Sequence, residues 1–211
     1  MMSAATLRVG LLDMCDERMP MALDVDPTPE EIEVFVIAAH GNPVQAMALL
    51  AADPRLLHHR WARTGETALD GAAHTGQRDL AEHLLKAGAP LDIFVAAMLG
   101  RADDVTAFLD GDAALVQASG AHGIPLLVYA ALSGRVEIIE LLVARGGGDT
   151  GHTGALHAAA RRGYVDVARW VLNRGADSAA TDFAGKTPLQ QATERNDEAM
   201  MALLHEYGAT A

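Results

Sequence analysis

The chain has 211 residues, half of them hydrophobic, and its 21% of charged residues is ordinary for a folded protein. Only 4% of the residues are aromatic, so alanine and leucine have to supply most of the packing. The formal net charge of −12 would repel nucleic acid phosphates and anionic membrane surfaces, which argues against both as partners.

The first 27 residues do not match the pattern of the rest of the chain. Residues 1–33 contain eight acidic side chains against two arginines, so much of the negative charge is local. We predict that residues 1–27 form an acidic N-terminal extension. Leu7, Leu11 and Met14 could make it a short cap helix over the first ordered unit, and a disordered acidic tail is the alternative.

Targeting signals are absent from the sequence pattern. Cys15 is the single cysteine, so no intramolecular disulfide can form, which fits a reducing compartment. No apolar run approaches the roughly 18 residues needed to span a membrane. The first residues have neither an uninterrupted apolar stretch nor a small-residue cleavage site. We therefore expect a cytoplasmic protein.

An ordered array is predicted to begin at Thr28 and to continue to residue 211. In Thr28-Pro29-Glu30-Glu31, the threonine can cap a helix, proline suits the first helical position, and Glu31 stands where a capping box needs it.

Six units of about 33 residues follow one another from about residue 31. Each has a capped start, a pair of alanines or similar residues, a glycine or its substitute, and an aliphatic run at helical spacing. The residue between the two helices of each unit is Gly41, Gly76, Gly100, Gly134, Gly163 or Asn196. Such a period predicts a solenoid, in which each unit buries its apolar face against its neighbours.

The repeated unit resembles the ankyrin repeat. The clearest copies are GETALDGAAHTG at residues 65–76 and DFAGKTPLQQA at residues 182–192, and the resemblance covers residues 31–210. It implies an all-α solenoid of antiparallel helix pairs, with loops or hairpin fingers projecting at right angles. The fingers and first helices would form a concave surface, and no chemistry is implied.

The unit lengths predict gaps in the row of fingers. Gly76 and Gly100 are only 24 residues apart, and Gly134 and Gly163 only 29, so little room remains for a finger in either interval. We expect the row to be notched at these two places.

No residue pattern predicts catalysis or a metal site. The nine histidines show no ligand spacing, and stacked helices lie about 8–10 Å apart, whereas zinc ligands lie near 2.0–2.1 Å from the ion. His157 is expected to cap a turn instead. A nucleophile elbow, a phosphate loop and a dinucleotide motif are all missing. The sequence therefore predicts a non-enzymatic protein without metal or cofactor.

Candidate binding residues lie between the alanine pair and the glycine, where the resemblance places exposed concave positions. An apolar centre is expected from Met98, Leu99, Tyr129 and Leu132, because exposed apolar clusters often mark interfaces. The alternative is that the short links near residues 90 and 150 cover these side chains, which would make them core.

The leading hypothesis is a monomeric protein–protein interaction module that binds its partner on the concave face. Arg161 and Arg162 would supply a basic edge, beside His74 and Thr75, and an arginine-bordered apolar patch is typical of interface hot spots. The partner would offer an acidic, partly apolar helix or loop.

Two alternatives stay open. A small-molecule binding protein, or an unusual enzyme, could use a pocket at the shortened fingers, with His122, Asp149 and His152 converging there. The acidic N-terminal segment could instead occupy the concave face and regulate it, since its charge is opposite to that of Arg161 and Arg162.

Overall fold

The computed structural model describes residues 26–210, and in this range the chain forms twelve α-helices and no β-strand longer than a single bridge. The prediction of an all-α helical solenoid is confirmed. The predicted cap helix or acidic tail falls almost entirely on residues 1–25, which lie outside the described residues.

The helices pair in chain order into six units. They are α1 (Pro29–Gly41) with α2 (Pro43–Ala52), α3 (Ala68–Thr75) with α4 (Arg78–Lys86), α5 (Ile93–Leu99) with α6 (Ala102–Gly111), α7 (Leu126–Leu132) with α8 (Val136–Ala144), α9 (His152–Arg162) with α10 (Val165–Leu172), and α11 (Pro188–Glu194) with α12 (Glu198–Glu206). First helices pack against first helices of adjacent units, so the units form a continuous row.

The helix starts follow the predicted capping chemistry. Thr28 accepts a hydrogen bond from the backbone N–H of Glu31, whose carboxylate accepts one from the Thr28 N–H, so the capping box is complete. Thr67 and Thr187 form the same box at α3 and α11. These contacts satisfy N–H groups that have no partner within the helix.

The apolar centre predicted to be exposed is buried. Met98, Leu99, Tyr129 and Leu132 are between 0% and 4% exposed, so the expectation of an exposed contact patch is wrong and these side chains belong to the core. The covering groups come from neighbouring helices. Leu132 lies against Gly76 at the end of α3, where an added Cβ would be 3.1 Å from its Cδ2.

Three fingers project from the row. They are closed by hydrogen bonds from the N–H of Trp61 to the carbonyl of Glu66, from Gly120 to Ile124, and from Asp182 to Lys186. Only short links join α4 to α5 and α8 to α9. The two predicted notches in the finger row are therefore confirmed.

The first notch changes which units touch. Because α5 has no finger before it, the segment Ala121–Gly123 of the middle finger contacts α3, and α7 also contacts α3 directly. The second and fourth units thus meet on the concave side.

Charged substitutions at the buried leucines should unfold the protein. We expect Leu99→Glu and Leu132→Glu each to lower the free energy of unfolding by about 3 kcal/mol or more, since an unpaired carboxylate would enter the core. Urea unfolding followed by circular dichroism measures this. Phe183→Glu, at a fully exposed position, is the control and should stay within about 0.5 kcal/mol of wild type.

Asp92 offers a second test of the fold. Its side chain caps α5 by accepting the Val95 N–H at 2.8 Å, and burial raises the pKa of its carboxyl above the ordinary value. Since the charged form is disfavoured in the folded state, the stability of the wild type should decline as the pH rises through the unfolded pKa of about 3.8 toward the folded pKa.

Asp92→Asn keeps the cap without the charge, so at pH 7 we expect it to be at least as stable as wild type. Asp92→Ala should lose about 1 kcal/mol, because the cap is gone. Thermal unfolding at pH 4 and pH 7 checks both. An asparagine variant that is clearly less stable than wild type at pH 7 would contradict this account.

Candidate functional site

A groove of about 1020 Å³ lies on the concave side, between the fingers and the first helices. It extends from His40 at the end of α1 to Phe183 in the last finger. Of the predicted binding residues, His74, Thr75 and Arg161 line it. Met98, Leu99, Tyr129 and Leu132 do not, because they are core.

Arg162 has a structural role that separates it from its neighbour Arg161. Its guanidinium donates a hydrogen bond to the carbonyl of Thr75, 87 positions earlier in the chain. That carbonyl belongs to the last residue of α3, which has no partner within the helix. Arg161 is exposed and lines the groove. The predicted basic edge is therefore one exposed arginine and one that ties the second unit to the fifth.

Tyr129 supports the middle finger from below. Its ring contacts Phe94, with 5.0 Å between ring centroids, and its hydroxyl reaches the backbone of Ala121. An added Cβ at Gly120 would lie 2.5 Å from the hydroxyl oxygen, so a larger residue there would displace the Tyr129 ring. Burial raises the pKa of Tyr129 far above its usual range, so the phenol stays protonated.

Four side chains that the sequence did not connect converge at one end of the groove. They are His40, Glu66, His74 and His122. The Glu66 Oε1 atom lies 3.8 Å from His40 Nε2, 3.3 Å from His74 Nδ1 and 3.1 Å from His122 Nε2. The rings of His40 and His122 both meet the His74 ring edge-on, at centroid distances of 4.8 and 5.1 Å. We call these four residues the histidine cluster.

The electrostatics of the histidine cluster centre on Glu66. Its carboxylate is only 4% exposed, and neither oxygen has a hydrogen bond of good geometry among the described residues. Burial lowers the pKa of His74, and the neighbouring His40 lowers it further, while Glu66 opposes both effects. A buried carboxylate surrounded by imidazoles is a strong attractor for a cation.

Sequence reasoning missed the histidine cluster because it compared distances between helix axes. Axes about 8–10 Å apart still allow side chains that lean toward each other to touch. One signal was available: His40 and His74 each follow an alanine pair directly, so they occupy the same place in consecutive units. Glu66 and His122 come close because no finger precedes α5, and no pattern of neighbouring residues in the sequence indicates this contact.

His157 does not cap a turn as predicted, because α9 begins at His152 and places it within the helix. Its Nδ1 lies 3.3 Å from the Gln191 side-chain oxygen, and the Gln191 amide donates to Asp182 in the last finger. His122, Asp149 and His152 are not brought together at the groove. Only His122 lines it, whereas the His152 ring faces Trp170 at 6.3 Å.

Phe183 is the most exposed of the large apolar residues that the structure describes, and the sequence analysis did not single it out. It stands at the tip of the last finger, fully exposed, on the rim of the groove. Ile124 and Val128, both partly buried, line the same groove.

Comparison with known proteins agrees with the fold. Residues 93–182 and 127–211 match the family described as ankyrin repeats in three copies, and residues 64–96 match the single ankyrin repeat. A solenoid of this kind is a class of protein built for binding on its surface. The chain belongs to the ankyrin repeat family.

One similar relative is a curated protein of Treponema pallidum (strain Nichols) that is described as containing ankyrin repeats. It is 36% identical over 136 residues, which is 60% of this chain and 45% of the relative. The matched region thus spans less than half the length of that relative. Among residues 26–210, no helix is both long enough and apolar enough to cross a membrane.

The two adjacent arginines give a matched test of this site. Arg162→Ala should lower the free energy of unfolding by about 1.5–3 kcal/mol, because a hydrogen bond from a charged donor to a helix-end carbonyl is lost. Arg161→Ala, one position earlier but exposed, should change it by less than about 0.5 kcal/mol. Equal effects in urea titrations would contradict the different roles described here.

Proposed function

We propose that this chain is a non-enzymatic interaction module that binds a partner protein in its concave groove. The observation that carries the proposal is the fully exposed Phe183 ring at the rim of a groove of about 1020 Å³. A single exposed ring is ordinary on a protein surface, but Phe183 shares this groove with Ile124 and Val128, and apolar side chains grouped in a groove with polar neighbours are typical of a binding site.

The composition of the groove suits a protein segment. Phe183, Ile124 and Val128 offer apolar contacts, and Arg161 offers an exposed basic contact at the same surface. Aromatic and arginine residues are enriched among those that contribute most to binding. The expected partner is an extended or helical segment with an apolar side chain for Phe183 and an acid for Arg161.

Family membership supports the same proposal. Ankyrin repeats are general protein–protein interaction modules and are typically non-enzymatic. The small-molecule alternative loses two of the three residues on which it rested, since Asp149 and His152 lie outside the groove lining and only His122 is part of it. A cytoplasmic location and a monomeric state remain predictions.

Photocrosslinking tests the proposal directly. A photoreactive phenylalanine analogue placed at position 183 should capture a discrete partner in cells of the native host, and mass spectrometry should map the crosslink to one segment. The control is the same analogue at Val44, which is 72% exposed on α2. Capture of the same protein with equal yield from position 44 would count against a specific groove.

Affinity for the captured partner then gives a quantitative check. We expect Phe183→Ala to weaken binding by roughly tenfold or more and Arg161→Ala to weaken it mainly at low salt, where an ion pair is less screened. Val44→Ala should leave the affinity unchanged. Isothermal titration calorimetry measures all three, and an unchanged affinity in Phe183→Ala would overturn the proposed surface.

A further inference from the structure

We propose that His40, Glu66, His74 and His122 form a binding site for a divalent transition metal ion, with Zn²⁺ as the ion that best suits their ligands. This inference is independent of the proposed partner binding. It rests on the positions of four side chains and on a buried carboxylate whose oxygens have no hydrogen-bond partner among the described residues.

The donor set matches zinc chemistry. Imidazole nitrogen and carboxylate oxygen are ordinary zinc ligands, at about 2.0–2.2 Å from the ion. Four ligands placed tetrahedrally at such a distance are about 3.3 Å from one another. In the histidine cluster, His122 Nε2 and His40 Nε2 lie 3.1 and 3.8 Å from Glu66 Oε1, and each of the four residues offers a ligand atom within 4.8 Å of the others. A contraction of about 1.5 Å at the longest separation would complete the tetrahedron.

The burial of the Glu66 carboxylate favours a cation beside it. Its side chain is 4% exposed, and both oxygens lack a hydrogen-bond partner among the residues that the structure describes. A buried carboxylate is strongly unfavourable unless a positive charge compensates it. Arg60 in the same finger donates instead to the Gly65 carbonyl and faces Asp70, and Arg63 lies over the Trp61 ring. The groups left to face Glu66 are the three imidazoles.

The imidazoles are oriented as metal ligands usually are. His40 Nδ1 lies 2.8 Å from the carbonyl oxygen of Val36, so its other nitrogen, Nε2, is the one available to an ion. His74 Nδ1 lies 2.9 Å from the carbonyl oxygen of Asp70, so His74 binds an ion through Nε2, or through Nδ1 once that hydrogen bond is broken. A carbonyl only accepts, so His40 must donate through Nδ1, and its Nε2 then presents a lone pair toward Glu66 Oε1. Two acceptors that face each other repel unless a positive charge lies between them, either a metal ion or a proton on the imidazole. Fixing a ligand through its second nitrogen is the common arrangement around protein metals.

The backbone accommodates these side chains at two unusual points. His122 has a φ of +57°, a conformation that few residues other than glycine adopt, and such strain often occurs at functional sites. Gly71 lies under the His40 ring, where an added Cβ would be 2.8 Å from Cε1. Glycine is unfavourable inside a helix, so its presence in α3 has a physical reason in the position of this ring.

The site would join three units through four protein ligands. Tetrahedral coordination by four protein ligands is typical of a structural zinc site, whereas a catalytic site keeps one coordination position open for water or substrate. The ion would link the end of α1, the first finger, the end of α3 and the middle finger. His122 is about half exposed, so an ion can reach the site from the groove. Bound metal would fix the wall of the groove that these histidines line.

The test uses the untagged full-length chain after removal of metal with a chelator. Titration with ZnCl₂ should show one ion per chain by calorimetry. At a Zn²⁺ concentration about one hundredfold above Kd, the Tm should rise by roughly 5–10 °C. Co²⁺ should give the intense visible absorption of a tetrahedral complex, a readout that reports geometry as well as binding.

Variants distinguish Zn²⁺ binding at this site from non-specific binding to other histidines of the chain. His74→Ala and Glu66→Gln each remove a ligand, and His122→Asn removes one while tolerating the positive φ. Each should weaken Zn²⁺ binding at least tenfold and abolish the Co²⁺ spectrum. His83→Ala, an exposed histidine on α4, is the matched control and should bind like wild type. Gly71→Ala removes no ligand but displaces His40, so it should also weaken binding.

Two results would overturn the proposal. One is a wild-type protein whose Tm and calorimetric signal do not respond to Zn²⁺, which would leave protonated imidazoles as the partners of Glu66. The other is binding that is equally strong in wild type, His74→Ala and His122→Asn, which would mean adventitious contact with surface histidines. Circular dichroism of each metal-free variant confirms that it is folded before either result is read.

Discussion

Close stacking of the first helices is the constraint from which the other features of this molecule follow. The alanine pairs of neighbouring units, such as Ala72–Ala73 and Ala96–Ala97, are at most 1% exposed. Small side chains let helices approach closely, and close packing in the interior is what stabilises each unit against the next. With 4% aromatic residues, the chain has few large side chains that could fill a wider gap.

Close stacking leaves the carbonyl groups at the helix ends near other units, and arginines from those units donate hydrogen bonds to them. Arg78 donates to the carbonyls of Met98 and Leu99, and Arg162 donates to that of Thr75. These carbonyls have no partner within their own helices. The arginines therefore stabilise the row from outside its apolar core, which explains why only Arg161 of the adjacent arginine pair is left for binding.

The absence of a finger before α5 determines the shape of the concave surface. It lets the middle finger reach α3, where His122 comes within 3.1 Å of Glu66. Tyr129 holds this finger through its contact with the Ala121 backbone. Tyr129, which the sequence predicted as a binding contact, thus instead supports the finger that carries His122. The groove and the histidine cluster share a wall for the same reason, since both depend on where this finger lies.

Much of the architecture could be predicted because its signals are local. Capping at Thr28 and Thr187, the glycines between helices and the unit lengths depend on residues a few positions apart, so the helices, the six units and both notches followed from them. The candidate site could not be predicted in this way. Exposure at Met98 and Leu132 depends on what the neighbouring units place over them.

By itself, the sequence determined a capped, glycine-punctuated helical repeat, because backbone propensity and hydrophobic period act over one turn or one unit. Only the tertiary structure decided that Leu132 belongs to the core, that Phe183 is exposed to solvent, and that His40 and His122 both lie beside Glu66. These outcomes depend on side chains that are up to 82 positions apart in the chain, from His40 to His122. Their distance is set by the stacking and curvature of several units, which no local pattern encodes.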